Sequence, residues 1–131
     1  MAAKIRPVYK LITSETLITG IGNQPIRNGA VLFKDDHIIN SGPKKTVIPQ
    51  NDENIERVDY GNSTILPGLI DTHVHLIGVG DGRVGDNLAT LPDEILTLQA
   101  SENARAHLQS GVTTVRDCGS KNMTTLMLRK A

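Results

Sequence analysis

Two histidines separated by one residue, His73 and His75, are the side chains of this sequence best suited by type and spacing to chemistry. In a β-strand, side chains alternate between two faces, so both histidines and the preceding Asp71 are expected to point to the same side. Two imidazoles about 7 Å apart on one face can both reach a single cation, because an imidazole nitrogen lies about 2 Å from a bound zinc ion. The His-x-His pair therefore predicts a metal site on a strand.

The composition of the chain argues against several classes of partner. The chain has 131 residues, and its 14 basic side chains balance 14 acidic ones, so no electrostatic argument favours nucleic acid or an anionic membrane. The N-terminus has no apolar leader segment, and no run approaches the ~18 apolar residues of a membrane span. The single cysteine, Cys118, cannot form an internal disulfide, which predicts a reducing, cytoplasmic location.

The first half of the chain has the pattern of short strands separated by turns. β-branched and apolar residues alternate loosely, and Asp35-Asp36 occupies the place of a two-residue hairpin turn. A polar stretch from Lys44 to Glu56 is typical of a surface loop. The pattern predicts a small antiparallel β-sandwich, with strands at 8–12, 16–21, 29–34, 37–41, 55–60 and 63–66.

The second half has the pattern of a βαβ unit. The apolar strand 67–76 is followed by a glycine-rich loop and by a predicted helix at 92–109, with Thr90 as its N-cap and Gly111 as its C-terminal cap. A β-rich run at 112–117 completes the unit, which implies a parallel sheet. The apolar face of the helix is predicted from residues repeating every four positions: Leu96, Ala100, Ala104 and Leu108.

A second helical pattern begins at Met123 and is still in progress at Ala131. One and a half βα units do not close a sheet. We therefore expect the chain to be part of a larger assembly of strands and helices.

Two runs of sequence resemble one enzyme superfamily. The run ILPGLIDTHVHL at 65–76 resembles the first barrel strand of the metal-dependent amidohydrolase superfamily, and the run GVTTVRDCG at 111–119 resembles its second. Within the superfamily, the pairing is most similar to the imidazolonepropionase-like and Xaa-Pro dipeptidase (prolidase-like) branch. The N-terminal strands resemble the composite β-sandwich that precedes the barrel in that branch.

The resemblance implies a mixed fold in two parts. Residues 1–66 would form an N-terminal β-sandwich, composite and incomplete, and residues 67–131 would form the first βαβ portion of a TIM-type (β/α)8 barrel. A complete barrel needs roughly 250 residues. The barrel is therefore expected to be incomplete in this chain.

The resemblance also implies an activity, the hydrolysis of amide or related C–N bonds by a metal-activated water. His73 and His75 match the first pair of metal ligands, and Asp71 is a candidate for orienting their imidazoles. One or two divalent metals are expected; zinc is favoured, while manganese, iron and cobalt stay open. The substrate would be a small amide or dipeptide-like molecule, and the catalytic base would come from a later strand.

Two interpretations of the 131-residue chain follow. It is expected to be an N-terminal fragment of an amidohydrolase that is inactive alone, because later strands supply the lysine, histidines and aspartate that complete the site. The alternative is a non-catalytic structural or interaction fragment that associates with another chain, or with itself, through exposed sheet edges.

The remaining candidate residues favour structural roles. His37 is expected to be a solvated turn residue, and His107 to be an exposed helix residue. Asp117 is compatible with a catalytic face, but a strand-terminating turn is the favoured interpretation. Cys118 is expected to be a small packed residue rather than a nucleophile. Residues 80–85 match G-x-G-x-x-G, but these glycines precede the predicted helix by too much for a dinucleotide site, so no cofactor-binding residues are predicted.

Overall fold

The computed structural model describes residues 8–22, 24–49, 55–80 and 90–131. The chain divides into two compact units, with the boundary between Pro67 and Gly68. Within the described residues the elements, in chain order, are β1 (Tyr9–Leu17), β2 (Ile26–Lys34), β3 (His37–Pro43), β4 (Ile55–Asp59), β5 (Thr64–Ile65), β6 (Leu69–Val74), α1 (Asp93–Gln109), β7 (Val112–Asp117) and α2 (Thr124–Lys130).

The strands of the first unit form one sheet in the order β3-β2-β1-β4, with β5 also paired to β1. The β1–β2 and β2–β3 pairs are antiparallel, as predicted. The β1–β4 and β1–β5 pairs are parallel, so the prediction of an all-antiparallel set is wrong. Parallel pairing requires a crossover, and the segments between β1 and these strands contain the β2–β3 hairpin. A second, facing sheet stays a prediction.

Residues of the predicted strands 8–12 and 16–21 lie in a single strand, β1, which ends at Leu17, so the predicted continuation to residue 21 is wrong. The polar residues between them suggested a break, but Thr13 and Ser14 are buried inside the strand. The Ser14 hydroxyl donates a hydrogen bond to the carbonyl oxygen of Thr16 at 2.6 Å. Because this local bond satisfies the buried hydroxyl, the strand continues through the polar stretch.

The predicted two-residue turn at Asp35-Asp36 is confirmed between β2 and β3. Asp35 has a positive φ of 54°, a conformation that aspartate tolerates better than most residues. Its carboxylate Oδ1 accepts a hydrogen bond from the backbone N–H of Val8 at 2.9 Å. The core under this hairpin is formed by buried apolar side chains: Leu11, Ala30, Leu32 and Val47.

The second unit contains the predicted βαβ arrangement. β6 and β7 are paired in parallel, and α1 lies between them in the chain. A Cβ atom at Gly68, just before β6, would overlap the side chain of Thr113, so glycine permits the close approach of the two strands. Parallel strands place their carboxyl ends at the same edge. Residues that follow β6 and β7 are therefore brought together.

Helix α1 packs through the face that its four-residue repeat predicts, except at its last position. Leu96 and Ala100 are fully buried, and Ala104 packs against the same cluster, whose other buried members are Val74, Leu76 and Ile77. Leu108, by contrast, is 63% exposed. The helix begins at Asp93 because Pro92 has the extended φ and ψ of an N-cap residue (−56° and 146°), so Thr90 is not the cap. Among the described residues, neither helix is long and apolar enough to cross a membrane.

Candidate metal centre

His73 and His75 lie at the carboxyl end of β6, on the side away from α1. The alternation predicted for this segment is confirmed from residue 73 onward, since Val74 and Leu76 are buried while both histidines are exposed. The apolar pair packs in the cluster with Leu96 of α1. Burial of Val74 and Leu76 therefore fixes the direction in which the two imidazoles project.

The two imidazoles are close neighbours, and one ring nitrogen of His75 contacts a backbone carbonyl. Their ring centroids lie 5.4 Å apart, at an interplanar angle of 67°. The Nδ1 atom of His75 lies 3.0 Å from the carbonyl oxygen of Gly119. A carbonyl oxygen only accepts, so the neutral ring carries its proton on Nδ1 and keeps a lone pair on Nε2. That is the form in which a histidine binds a metal while a backbone carbonyl orients it.

Asp71 contacts the backbone of His73. Its carboxylate Oδ1 accepts a hydrogen bond from the His73 N–H at 3.0 Å. Between Asp71 and Val74 the pairing with β7 shifts register, because three steps on β6 correspond to two on β7, from Val115 to Asp117. The prediction that Asp71 lies on the same face as the two rings assumed regular alternation along the strand. This bulge interrupts that alternation. A role of Asp71 in orienting the imidazoles stays a prediction.

Asp117 terminates β7 in a turn, as its sequence context favoured. Its Oδ1 accepts a hydrogen bond from the N–H of Gly119 at 2.9 Å, and its Oδ2 accepts one from the N–H of Leu76 at 3.3 Å. The N–H of Cys118 donates to the carbonyl oxygen of Val74 at 2.8 Å. Residues 117–119 are thus hydrogen-bonded to the end of β6 on both sides of His75.

Sequence reasoning missed the carbonyl of Gly119 as a partner of the site. A backbone carbonyl has no residue type, so only the Asp-Cys-Gly run after a strand could have indicated a turn at that place. The expectation that Cys118 is a packed residue is wrong, because its side chain is exposed. It lies beyond the last strand residue, with Sγ 3.6 Å from the carbonyl oxygen of Thr72.

The other two histidines lie elsewhere. His37 is exposed beside the β2–β3 turn and contacts the carboxylate of Asp36, as expected for a solvated turn residue. His107 is half-buried rather than exposed, and its Nδ1 lies 2.8 Å from the carbonyl oxygen of Asn103 on the same helix. The G-x-G-x-x-G match at 80–85 lies outside the described residues, apart from Gly80.

The donor chemistry of the pair fits a divalent metal, but the pair is short of a complete ligand set. Neighbouring imidazoles suit zinc and several other transition metals. Within the described residues, no group of three or more histidine, cysteine or acidic side chains is placed to hold a metal ion. A catalytic zinc usually has three protein ligands. His73 and His75 would therefore provide part of such a site.

The second unit also identifies the family. Residues 64–131 match the sequence model of the Amidohydrolase family, which is 68 of the 131 residues. The chain belongs to this family. The membership that the 65–76 and 111–119 runs suggested is confirmed.

Comparison with individual proteins agrees with this membership. An imidazolonepropionase from Brucella abortus (strain S19) is 39% identical over 56 residues, which are 43% of this chain and 14% of that enzyme. The structure of molinate hydrolase superposes with a TM-score of 0.77 and 27% identity, over 96% of this chain and 27% of that one. An Xaa-Pro dipeptidase with bound methionine gives a TM-score of 0.72 and 26% identity, over 94% and 29%.

These neighbours cover nearly the whole chain and have the fold of amidohydrolase barrel enzymes. In each comparison, this chain spans less than a third of the other protein. Most of the length of those proteins thus has no counterpart among these residues.

Proposed function

We propose that this chain provides the first two metal ligands, His73 and His75, of an enzyme that hydrolyses an amide or related C–N bond. A bound divalent metal, with zinc favoured, supplies Lewis-acid activation of water and of the substrate carbonyl. The two histidines hold it through ring nitrogens at the carboxyl end of β6. In barrels of this type, that end of the strands carries the chemistry.

The observation that carries the proposal is the state of the two rings. They are exposed, their centroids lie 5.4 Å apart, and Nδ1 of His75 is engaged by a backbone carbonyl. The contact at Nδ1 leaves the lone pair of the neutral His75 ring on Nε2, the nitrogen through which His75 would bind a metal.

The relatives supply the class of substrate. The relatives are named as an imidazolonepropionase, a molinate hydrolase and an Xaa-Pro dipeptidase, and the last name gives a dipeptide as the substrate of that enzyme. We therefore propose a small amide or dipeptide-like substrate. We further propose that residues 1–66 belong to a composite β-sandwich and that residues 67–131 begin a (β/α)8 barrel. The cytoplasmic location also stays a prediction.

The 131-residue chain alone is expected to lack hydrolase activity. Two imidazoles leave a zinc ion one protein ligand short of the usual catalytic set, and in the described part of the chain no third histidine, cysteine or acidic side chain completes a metal-binding group with them. The purified chain, with added zinc or manganese, should not hydrolyse a prolyl dipeptide or an acyl amide. Turnover that is abolished by a chelator would contradict this part of the proposal.

Zinc titration of the chain with ¹⁵N-labelled histidines tests the metal centre directly. His73 and His75 should show concerted shifts of their ring nitrogens, because they bind the same ion. His37 and His107 serve as internal controls and should not shift at the same zinc concentrations. Equal shifts at all four histidines, or none at His73 and His75, would refute the metal centre.

A second candidate function is that of an association module, favoured by the exposed apolar residues of β6. Leu69 and Ile70 are 50% and 68% exposed, and β6 pairs with only one other strand in the described part of the chain. Such an edge can pair with another chain. Gel filtration with a hydrophobic dye separates the outcomes: association predicts concentration-dependent oligomers, and a compact monomer that does not bind the dye argues against it.

A further inference from the structure

We infer that Asp117 is a positioning residue for His75: its carboxylate fixes the turn whose carbonyl holds the imidazole in the tautomer that keeps the Nε2 lone pair available to a metal. The inference rests on the proposed function, since it treats His75 as a metal ligand. It concerns a residue of β7 whose two carboxylate oxygens accept hydrogen bonds from backbone N–H groups. Asp117 acts on both ends of the contact between His75 and Gly119.

The two carboxylate oxygens of Asp117 have different partners. Oδ1 accepts from the N–H of Gly119 at 2.9 Å, the residue whose carbonyl meets the ring. Oδ2 accepts from the N–H of Leu76 at 3.3 Å, the residue directly after His75. One half-buried side chain therefore connects the backbone that bears the imidazole with the backbone that orients it.

The chemistry of the carboxylate suits this double role. An ionised aspartate is an acceptor at both oxygens, so it can satisfy two backbone donors at once. An asparagine has one acceptor oxygen, and its NH₂ group would face the second N–H as a donor. Asp117→Asn therefore preserves the size of the side chain but loses one of the two bonds.

The backbone of Gly119 lies against the imidazole ring of His75. A Cβ atom at this position would lie 3.4 Å from both Cε1 and Nδ1 of His75. The ring thus has the carbonyl of Gly119 as hydrogen-bond partner and the α-carbon region of the same residue as packing partner. A shift of this turn would release both contacts, and an unrestrained neutral imidazole exchanges between its two tautomers.

A turn of the same Asp-x-Gly spacing in the first unit offers a control, because it does not include the carbonyl that contacts His75. Asp59 accepts a hydrogen bond at Oδ1 from the N–H of Gly61 at 3.0 Å, in the same Asp-x-Gly spacing as Asp117 and Gly119. Asp59→Asn therefore changes an equivalent turn and leaves the His75 contact alone. It is the control variant for Asp117→Asn.

The test is the tautomer of the neutral His75 ring in the metal-free chain, read from long-range ¹H–¹⁵N spectra. The wild-type chain and Asp59→Asn should show a protonated Nδ1 and a bare Nε2. Asp117→Asn should lose this single pattern and show both tautomers. His107 has its own carbonyl partner in α1, so its Nδ1–H signal should persist in all three and report that the helix is folded.

Two results would overturn the inference. One is an unchanged His75 tautomer in Asp117→Asn while the His107 signal is intact. The other is a protonated Nε2 on His75 in the wild-type chain, which decides the matter even where a variant fails to fold. As a second variant, Asp117→Ala removes both acceptors and should mix the two tautomers at least as much as Asp117→Asn.

Zinc binding separates this inference from the proposed function. Asp117→Asn should weaken zinc binding about tenfold, which is typical for residues that orient a metal ligand. If the wild-type chain shows the expected tautomer but binds no zinc at His73 and His75, the metal centre fails and the positioning by Asp117 stands. If zinc binds at His73 and His75 but the His75 tautomer does not change in Asp117→Asn, the positioning by Asp117 fails and the metal centre stands.

Discussion

The Nδ1 atom of His75 lies 3.0 Å from the carbonyl oxygen of Gly119, a residue 44 positions further along the chain. The contact exists because β6 and β7 are parallel neighbours, so the residues that follow them meet at one edge. It assigns the two nitrogens of the ring different roles before any metal is bound. The site is thus organised by the βαβ connection through α1, and not by the His-x-His segment alone.

Zinc binding should be lost when either candidate ligand is removed. It should be kept when a distant histidine is removed. His73→Ala or His75→Ala leaves one imidazole, which holds zinc poorly, so affinity should fall more than about tenfold. Isothermal titration calorimetry with zinc measures the change. His107→Ala, on α1, is the control and should bind as the wild type does; equal losses in all three variants would indicate nonspecific binding.

Leu96 should be far more important for stability than Leu98, two positions along α1. Leu96 is fully buried beneath the strand that bears the histidines, whereas Leu98 is 66% exposed. Leu96→Ala should cost about 2–5 kcal/mol in the free energy of unfolding, and Leu98→Ala much less. Urea denaturation followed by circular dichroism compares them. Similar losses in the two variants would mean that the helix packs through a different face.

Local sequence patterns predicted those parts of the fold that depend on neighbouring residues. The alternation of Val74 and Leu76 with the histidines was correct because burial against α1 enforces a two-residue period. The end of α1 near Gly111 was correct because a glycine with positive φ closes a helix.

The parts that depend on distant residues were missed. The parallel pairing of β1 with β4 joins residues that are 46 positions apart in the chain, such as Tyr9 and Ile55. The half-burial of His107 depends on how much of the C-terminal part of α1 is covered by other segments of the chain. The periodicity of the α1 sequence does not reveal this. The Gly119 carbonyl has no side-chain signature at all. Only the pairing of β6 with β7 brings it to His75.

The pKa of Asp93 provides a measurement of how the start of α1 is held. The side-chain amide of Asn122, with Nδ2 2.9 Å from Oδ2, lowers the pKa of Asp93 below its ordinary value of 3.8, and Lys121 adds to the effect. The folded pKa lies below the unfolded one, so the stabilisation is present above the ordinary value. It is lost as the pH falls through the folded pKa.

Asn122→Gly should therefore raise the pKa of Asp93 towards its ordinary value and make stability less dependent on acidic pH. Glycine is the suitable substitution because residue 122 has a positive φ of 51°, where alanine would add strain. Titration of the carboxyl ¹³C signals by NMR gives the pKa. Asp59, whose pKa is lowered by the N–H of Gly61, is the internal control. An unchanged pKa at Asp93 would show that the amide bond contributes nothing.

Gly111, which ends α1 just before β7, should be replaceable by asparagine at lower cost than by alanine. Its φ of 91° is a conformation that side chains rarely adopt, while a Cβ atom there would meet nothing within 4 Å. The penalty therefore comes from the backbone alone, and Gly111→Ala should lose about 1 kcal/mol in the free energy of unfolding. Gly111→Asn should lose less, because asparagine tolerates positive φ. Urea unfolding ranks the three chains; an alanine variant as stable as the wild type would mean that the turn after α1 relaxes to a negative φ.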